Sequence, residues 1–147
     1  MHLEIITPDR VAFEGEVLSV TLPTTDGEIV VLPGHIPLVS AIAPGTIIVR
    51  TAKKEELFAV ARGVIEVDGT SVNVLTDIAD TAGTLDEEAI EQAKQKAETL
   101  MKEKRTDAEG FAEATAILDR ELARLRTVRR HRSAHSRPFP TSSSADQ

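Results

Sequence analysis

A chain of 147 residues is long enough for one domain, or for a small domain with an appendage. Its 41% hydrophobic and 28% charged residues are those of a globular protein, its formal charge of −7 argues against a general nucleic-acid binder, and the absence of cysteine excludes disulfides, thiolate metal sites and a cysteine nucleophile. The start MHLEIITPDR has neither the basic nor the apolar region of a signal peptide, and no run of about 18 apolar residues follows, so a cytosolic protein is expected.

Up to about Leu75 the chain is written in short β-rich runs: VLSVTL (17–22), EIVVL (28–32), TIIVR (46–50), LFAVA (57–61), VIEV (64–67) and SVNVL (71–75). Turn residues separate them at short intervals, as in an antiparallel sandwich or barrel. The clearest hairpin is VIEV-DGT-SVNVL, where Asp68 and Gly69 tolerate the turn conformation. This region also holds the acidic excess: residues 1–84 carry 5 Lys/Arg against 12 Asp/Glu, while residues 85–130 carry 10 against 11.

After Thr84 good helix formers take over and Gly and Pro almost vanish. A first helix is predicted from Thr84 and Glu87 in capping-box spacing, with Ile90, Ala93, Ala97, Leu100 and Met101 as its apolar stripe. A second is predicted from Thr106 and Glu109, with Phe111, Thr115, Leu118, Leu122 and Leu125. Only KEKR (102–105) lies between them, so the helices should pack antiparallel. The expected organisation is therefore α+β: an antiparallel β-sandwich over 1–84, a two-helix hairpin over 85–130, and a disordered Ser/Pro-rich tail over 131–147. Both stripes are thin, so the hairpin should be marginal unless it docks.

Chemistry finds little support. His35, Ser40 and Asp26 lie in one segment, but no nucleophile elbow frames the serine. The histidines at 2, 35, 131 and 135 are scattered, and the glycines do not group into a phosphate loop. No catalytic residue, metal or cofactor is expected. The distinctive segment is GEIVVLPGHIPLVSAIAPG, 27–45, in which Gly34 suits a turn with positive φ and Pro37 stiffens the exit. Its apolar residues Ile36, Leu38 and Ile42 either close the end of the sandwich or present a surface to a protein partner.

This segment closely resembles the hallmark of the epsilon subunits of F-type ATP synthases. LEIITPDRVAFEGEV, ARGVIEVDGTSVNVLTDIA and LDEEAIEQAKQKAE resemble the same family in the same order, so the likeness covers about residues 2–130. Val30 stands where members often carry glycine. The resemblance implies a β-sandwich followed by two helices, and a non-catalytic central-stalk subunit that joins gamma to the c ring during proton-driven ATP synthesis. Such a subunit is peripheral on the cytoplasmic face of the membrane. It further implies that Glu28, Pro33, Gly34, His35 and Pro37 contact the c ring.

In many bacterial members the helices extend and inhibit ATP hydrolysis, with alpha and beta subunits as partners and basic residues of the second helix facing an acidic segment of beta. The matching residues are Arg120, Arg124, Arg126, Arg129 and Arg130, five arginines in eleven positions without a lysine. Arginine suits bidentate carboxylate pairing, although such a run also serves as a solvated helix end. Some members bind ATP through [I/L]-D-x-x-R-A. Here Leu85 and Asp86 are kept but Ala89 replaces the arginine, so no nucleotide site is expected. The alternatives from other classes are a freestanding β-sandwich binding module and a small hydrolase.

Overall fold

A computed structural model describes residues 1–136 of the chain. Ten strands come first: β1 (His2–Ile6), β2 (Val11–Glu16), β3 (Ser19–Thr24), β4 (Gly27–Val31), β5 (Leu38–Ile42), β6 (Gly45–Arg50), β7 (Glu55–Val60), β8 (Gly63–Val67), β9 (Ser71–Thr76) and β10 (Ala79–Thr81). A 3-10 turn at Ala82–Thr84 leads to helices α1 (Glu87–Glu103) and α2 (Ala108–Ser136). The fold is thus a β-sandwich followed by a helical hairpin, as the sequence predicts.

Hydrogen bonding runs β10-β7-β6-β3-β5-β8-β9-β1-β2, with β4 attached, among the described residues, to β3 alone. The two layers meet at β3 and β5 through one pair, Thr24 with Ile42. Inside, alternate residues of both layers form one core, including Leu3, Ile5, Val20, Leu22, Ile47, Val49, Phe58, Ile65, Val72 and Val74. Phe13 and Phe58 meet edge to face with ring centroids 6.1 Å apart. Between β8 and β9 the Asp68 carboxylate accepts from the backbone N–H of Thr70 (3.0 Å) and Ser71 (2.8 Å), closing the turn in which Gly69 has φ of 98°.

The hairpin packs on the outer face of the β6–β7 layer. Helix α2 lies against β6 and β7, and α1 lies against α2. Covered on two sides, α2 buries Ala123 and Thr127 on one face and Ala114, Glu121 and Leu125 on the other. The outer-face residues Ile48, Leu57 and Ala82 are buried with it. At its centre the Thr127 hydroxyl donates to the Ala123 carbonyl (2.8 Å), so the Thr46 hydroxyl, 2.7 Å away and buried, donates to Thr127.

Several boundaries differ from the sequence reading. Asp86 rather than Thr84 caps α1: its carboxylate accepts from Glu88 N–H (3.1 Å), whereas the Thr84 hydroxyl donates back to the Thr81 carbonyl (2.9 Å). Helix α2 starts at Ala108 instead of Thr106. It also continues past Arg130 to Ser136, because the first turn of α1 still lies beside it: Arg132 donates to Glu87 at 2.7 Å. Residues 131–136 therefore belong to the helix and not to a disordered tail, and 137–147, with the Pro138 and Pro140 pair, lie outside the described residues. The predicted stripes are only partly buried, since Leu100 and Phe111 are exposed.

Gly63 opens β8 between Ile42 and Thr76. A Cβ there would overlap the Leu75 carbonyl and stand 2.9 Å from the Thr76 Cα, both backbone atoms that have no room to yield. Gly63→Ala should destabilise the sandwich by about 2 kcal/mol or more, read as a lower urea midpoint; an unchanged midpoint would contradict the packing described.

Candidate functional site

The segment 27–45 is less of a loop than its sequence suggests. It contains β4, a tight turn at residues 32–37, and β5. In the turn His35 N–H donates to the Leu32 carbonyl (3.1 Å) and Gly34 has φ of 85°. The Nδ1 of His35 lies 2.7 Å from the Ile36 carbonyl, so that nitrogen carries a proton, and in the neutral ring Nε2 is left as an acceptor. The β8–β9 turn supports this one from below: a Cβ on Gly69 would stand 3.8 Å from the His35 carbonyl.

The two readings of the apolar residues divide. Ile42 is 4% exposed and closes the core, Leu38 is half-buried, and Ile36 is 76% exposed, with Val30 and Leu32 exposed beside it. Val30 points outward opposite Thr21 and is exposed, so it meets no packing conflict in the strand.

The five residues expected on one contact are spread along an edge. Glu28 sits at the start of β4 and Pro33, Gly34, His35 and Pro37 beyond its end, about 16 Å away for five extended residues. Because β4 pairs only with β3 among the described residues, the strand and its turn form an open rim bearing Glu28, Val30, Leu32 and Ile36. A second surface carries no signal in the sequence. On the outer face of β5, β8 and β9, Val39 (72% exposed), Ala41, Val64 and Leu75 are exposed, and the register places Ala41 beside Val64 and Val64 beside Leu75. These residues sit in strands whose inner face is also apolar, so no alternation marks them.

Four of the five candidate arginines lie beside carboxylates within the chain. Arg124 donates from Nε to Asp80 on β10 (2.8 Å) and from Nη1 to Glu121 (2.7 Å). Arg120 Nε is buried without a hydrogen bond, 3.7 Å from Glu121. Arg129 reaches Glu87 (3.3 Å) and Glu91 (3.0 Å) on α1, and Arg130 reaches Glu28 on β4 (3.4 Å). Arg126 is exposed. Helix α2 thus brings the two expected contact regions together at Glu28 and Arg130.

At the position of the degenerate nucleotide motif, Asp86 is committed to its cap and Ala89 is exposed. The cleft between the helices lies at the other end of α1, by the connection to α2; about 330 Å³, it is lined by Asp107, Glu109 and Glu113 against one cation, Lys104, a charge set that repels phosphate. Ser40 donates to the Ala41 carbonyl (3.4 Å) and no hydrogen bond joins it to His35 or Asp26 among the described residues. On β1 and β2, Glu4 faces Glu14 and His2 faces Glu16. The ligand atoms of His2, Glu4 and Glu14 lie within 4.8 Å of one another, and these side chains are half-buried or exposed. His2 offsets the repulsion of the facing carboxylates when it is protonated.

Residues 1–82 match the family described as "ATP synthase, Delta/Epsilon chain, beta-sandwich domain". The ATP synthase epsilon chain of Bordetella avium is 38% identical over 138 residues, covering 92% of this chain and 98% of that one. That of Bordetella parapertussis is 40% identical over 126 residues, covering 85% and 86%. A chain of the Euglena gracilis mitochondrial ATP synthase, in a structure of OSCP, F1 and c-ring in rotational state 1, superimposes with a TM-score of 0.69 at 25% identity over 80% of this chain and 74% of its own.

Asp68 anchors the β8–β9 turn that supports the residue 32–37 turn. Hydrogen bonds from the Ser71 backbone and hydroxyl, then from Thr70, lower its pKa from 3.8 to about 2. A depressed carboxylate stabilises the fold above its unfolded pKa, and that contribution disappears as pH falls from about 4 through about 2. The Asp68 carboxyl resonance should titrate near 2 by NMR, and Asp68→Asn should remove this part of the acid dependence.

Proposed function

The chain belongs to the epsilon-chain family of the ATP synthase, and from that membership we propose that it serves as a non-catalytic rotor subunit, seated between gamma and the c ring. The observation that carries this reading is the pair of exposed apolar surfaces on one rigid sandwich, the β4 rim with its turn and the outer face of β5, β8 and β9. Exposed apolar patches on a well-packed core mark protein contacts. A subunit that transmits torque needs two of them held in fixed relation.

The rim carries the c-ring contact through Glu28, Pro33, Gly34, His35 and Pro37. Glu28 and His35 Nε2 supply acceptors for the polar loops of the ring, and Leu32 and Ile36 supply apolar area. The face of Val39, Ala41, Val64 and Leu75 takes gamma. No helix among the described residues is long and apolar enough to cross a membrane, and the reading places the subunit peripherally, held to the cytoplasmic face by the ring. The reading includes neither a nucleotide nor a cofactor. A freestanding binding module lacks any comparable support, because the family likeness extends over both the sandwich and the hairpin.

Inhibition of hydrolysis belongs to the same reading. When the hairpin leaves the sandwich and its helices extend, Arg124, Arg129 and Arg130 lose their partners on the sandwich and on α1, and with Arg120 and the already exposed Arg126 they face an acidic segment of the catalytic beta subunit, with alpha alongside. The docked arrangement is the resting one, and the family's extended arrangement is the inhibitory one.

Cysteines at positions 28 and 35 should crosslink to the polar loops of c subunits in the assembled enzyme, and a cysteine at 64 should crosslink to gamma. Products with gamma alone from 28 and 35 would refute the orientation. Deleting residues 106–147 should raise ATP hydrolysis by the assembled enzyme, but it also uncovers Ile48 and Leu57. Arg126→Ala is the cleaner variant, because Arg126 has no carboxylate partner among the described residues and its loss leaves the docked hairpin intact. It should raise hydrolysis by about fivefold, as expected for one charge contact of about 1 kcal/mol. Hydrolysis unchanged by both alterations would remove the inhibitory role.

A further inference from the structure

We propose that Asp80 is the sandwich's own counter-charge for the arginine face of α2, a decoy carboxylate that holds the hairpin docked by occupying Arg124. The apolar part of the dock is small and undirected. Its apolar contacts come from Ala123, Ala82, Ile48 and Leu57, and its central hydrogen bond joins two threonines. The Arg130–Glu28 pair is half-exposed on both sides and contributes little. Asp80 and Arg124 differ from these, since their side chains are only 27% and 24% exposed and the Nε–Oδ2 distance is 2.8 Å. A shielded charge-assisted hydrogen bond is the strongest single polar link that the geometry offers.

The arrangement also opens without harm to the helix. Arg124 is held from two directions: its Nη1 donates to Glu121 on α2 itself, three residues away, and its Nε to Asp80 across the dock. On release Glu121 leaves with the helix and keeps one edge of the guanidinium satisfied, while Asp80 returns to water on the short edge strand β10. The Nε edge is then free for another carboxylate. An acidic segment of a partner protein would therefore use the same donor, and Asp80 and that segment exclude one another. The lock stands on contacts within the chain, while its effect on hydrolysis rests on the inhibitory reading given above.

Hydrogen exchange of the full-length chain tests the lock directly. In Asp80→Asn and in Arg124→Gln, backbone amides of residues 108–136 should exchange about tenfold faster than in the unaltered chain, while amides of β8 and β9 are unchanged. The double variant should be no faster than Arg124→Gln alone, since the partner is already lost. Unchanged exchange in Asp80→Asn, or effects that simply add in the double variant, would overturn the proposal. General loosening of the sandwich would show in β8 and β9 and would overturn it equally.

In the assembled enzyme Asp80→Asn should lower ATP hydrolysis, because more hairpins are released. If exchange accelerates and hydrolysis does not fall, the lock stands and the inhibitory role of the arginines falls. Arg124→Lys, which keeps the charge but loses the two-edged fork, should give exchange close to that of Arg124→Gln.

Discussion

A helix covered on two sides must bury two faces, and everything outside the sandwich depends on how α2 does so. Towards β6 and β7 it offers Ala123 and Thr127, and towards α1 it offers Ala114, Glu121 and Leu125. Small and hydroxylated residues let the backbone come close, and the two threonine hydroxyls complete each other's bonding instead of adding apolar area. Such an interface is specific without being strongly adhesive. The remaining order comes from guanidiniums, which tie α2 to α1 through Glu87 and Glu91 and to the sandwich through Asp80 and Glu28.

The same constraint explains what the sequence could and could not reveal. The β8–β9 hairpin is legible because its cause is local: Asp68 and Gly69 form a turn between two alternating runs. The change from strands to helices at residue 84 is legible for the same reason, as composition changes there. Strand β5 is hidden, because Leu38 and Ile42 face inward while Val39 and Ala41 are apolar and face out, so its period of two does not show. The stripe of α2 is misjudged because a single apolar face presumes a single neighbour. With two neighbours, buried positions alternate through 121, 123, 125 and 127, which no amphipathic template contains.

The candidate contacts follow a similar division. Gly34 and the prolines around it announce a rigid turn, and Ile36 stands out in solvent as such a turn allows. That Glu28 lies a full strand away from His35, and next to Arg130 rather than next to the turn, depends on β4 being an edge and on α2 ending above it. Both facts are tertiary. The arginine run shows the limit of composition most plainly. Its members look alike in sequence, yet Arg124 is locked between two carboxylates and Arg126 stands in solvent.

Strand β1 lies between β2 and β9, paired antiparallel with the first and parallel with the second, His2 beside Ser71 through Ile6 beside Leu75. A ribosome delivers β1 and β2 long before β9 exists. Until the chain has grown past residue 76, the inner edge of β1, which carries the fully buried Leu3 and Ile5, has no strand to meet. A strand made before β3 to β9 is therefore among the last of the ten to be completed. The nascent chain carries an open edge on β1 until β9 is made, which makes the β1–β2 hairpin a segment exposed to premature pairing with another copy.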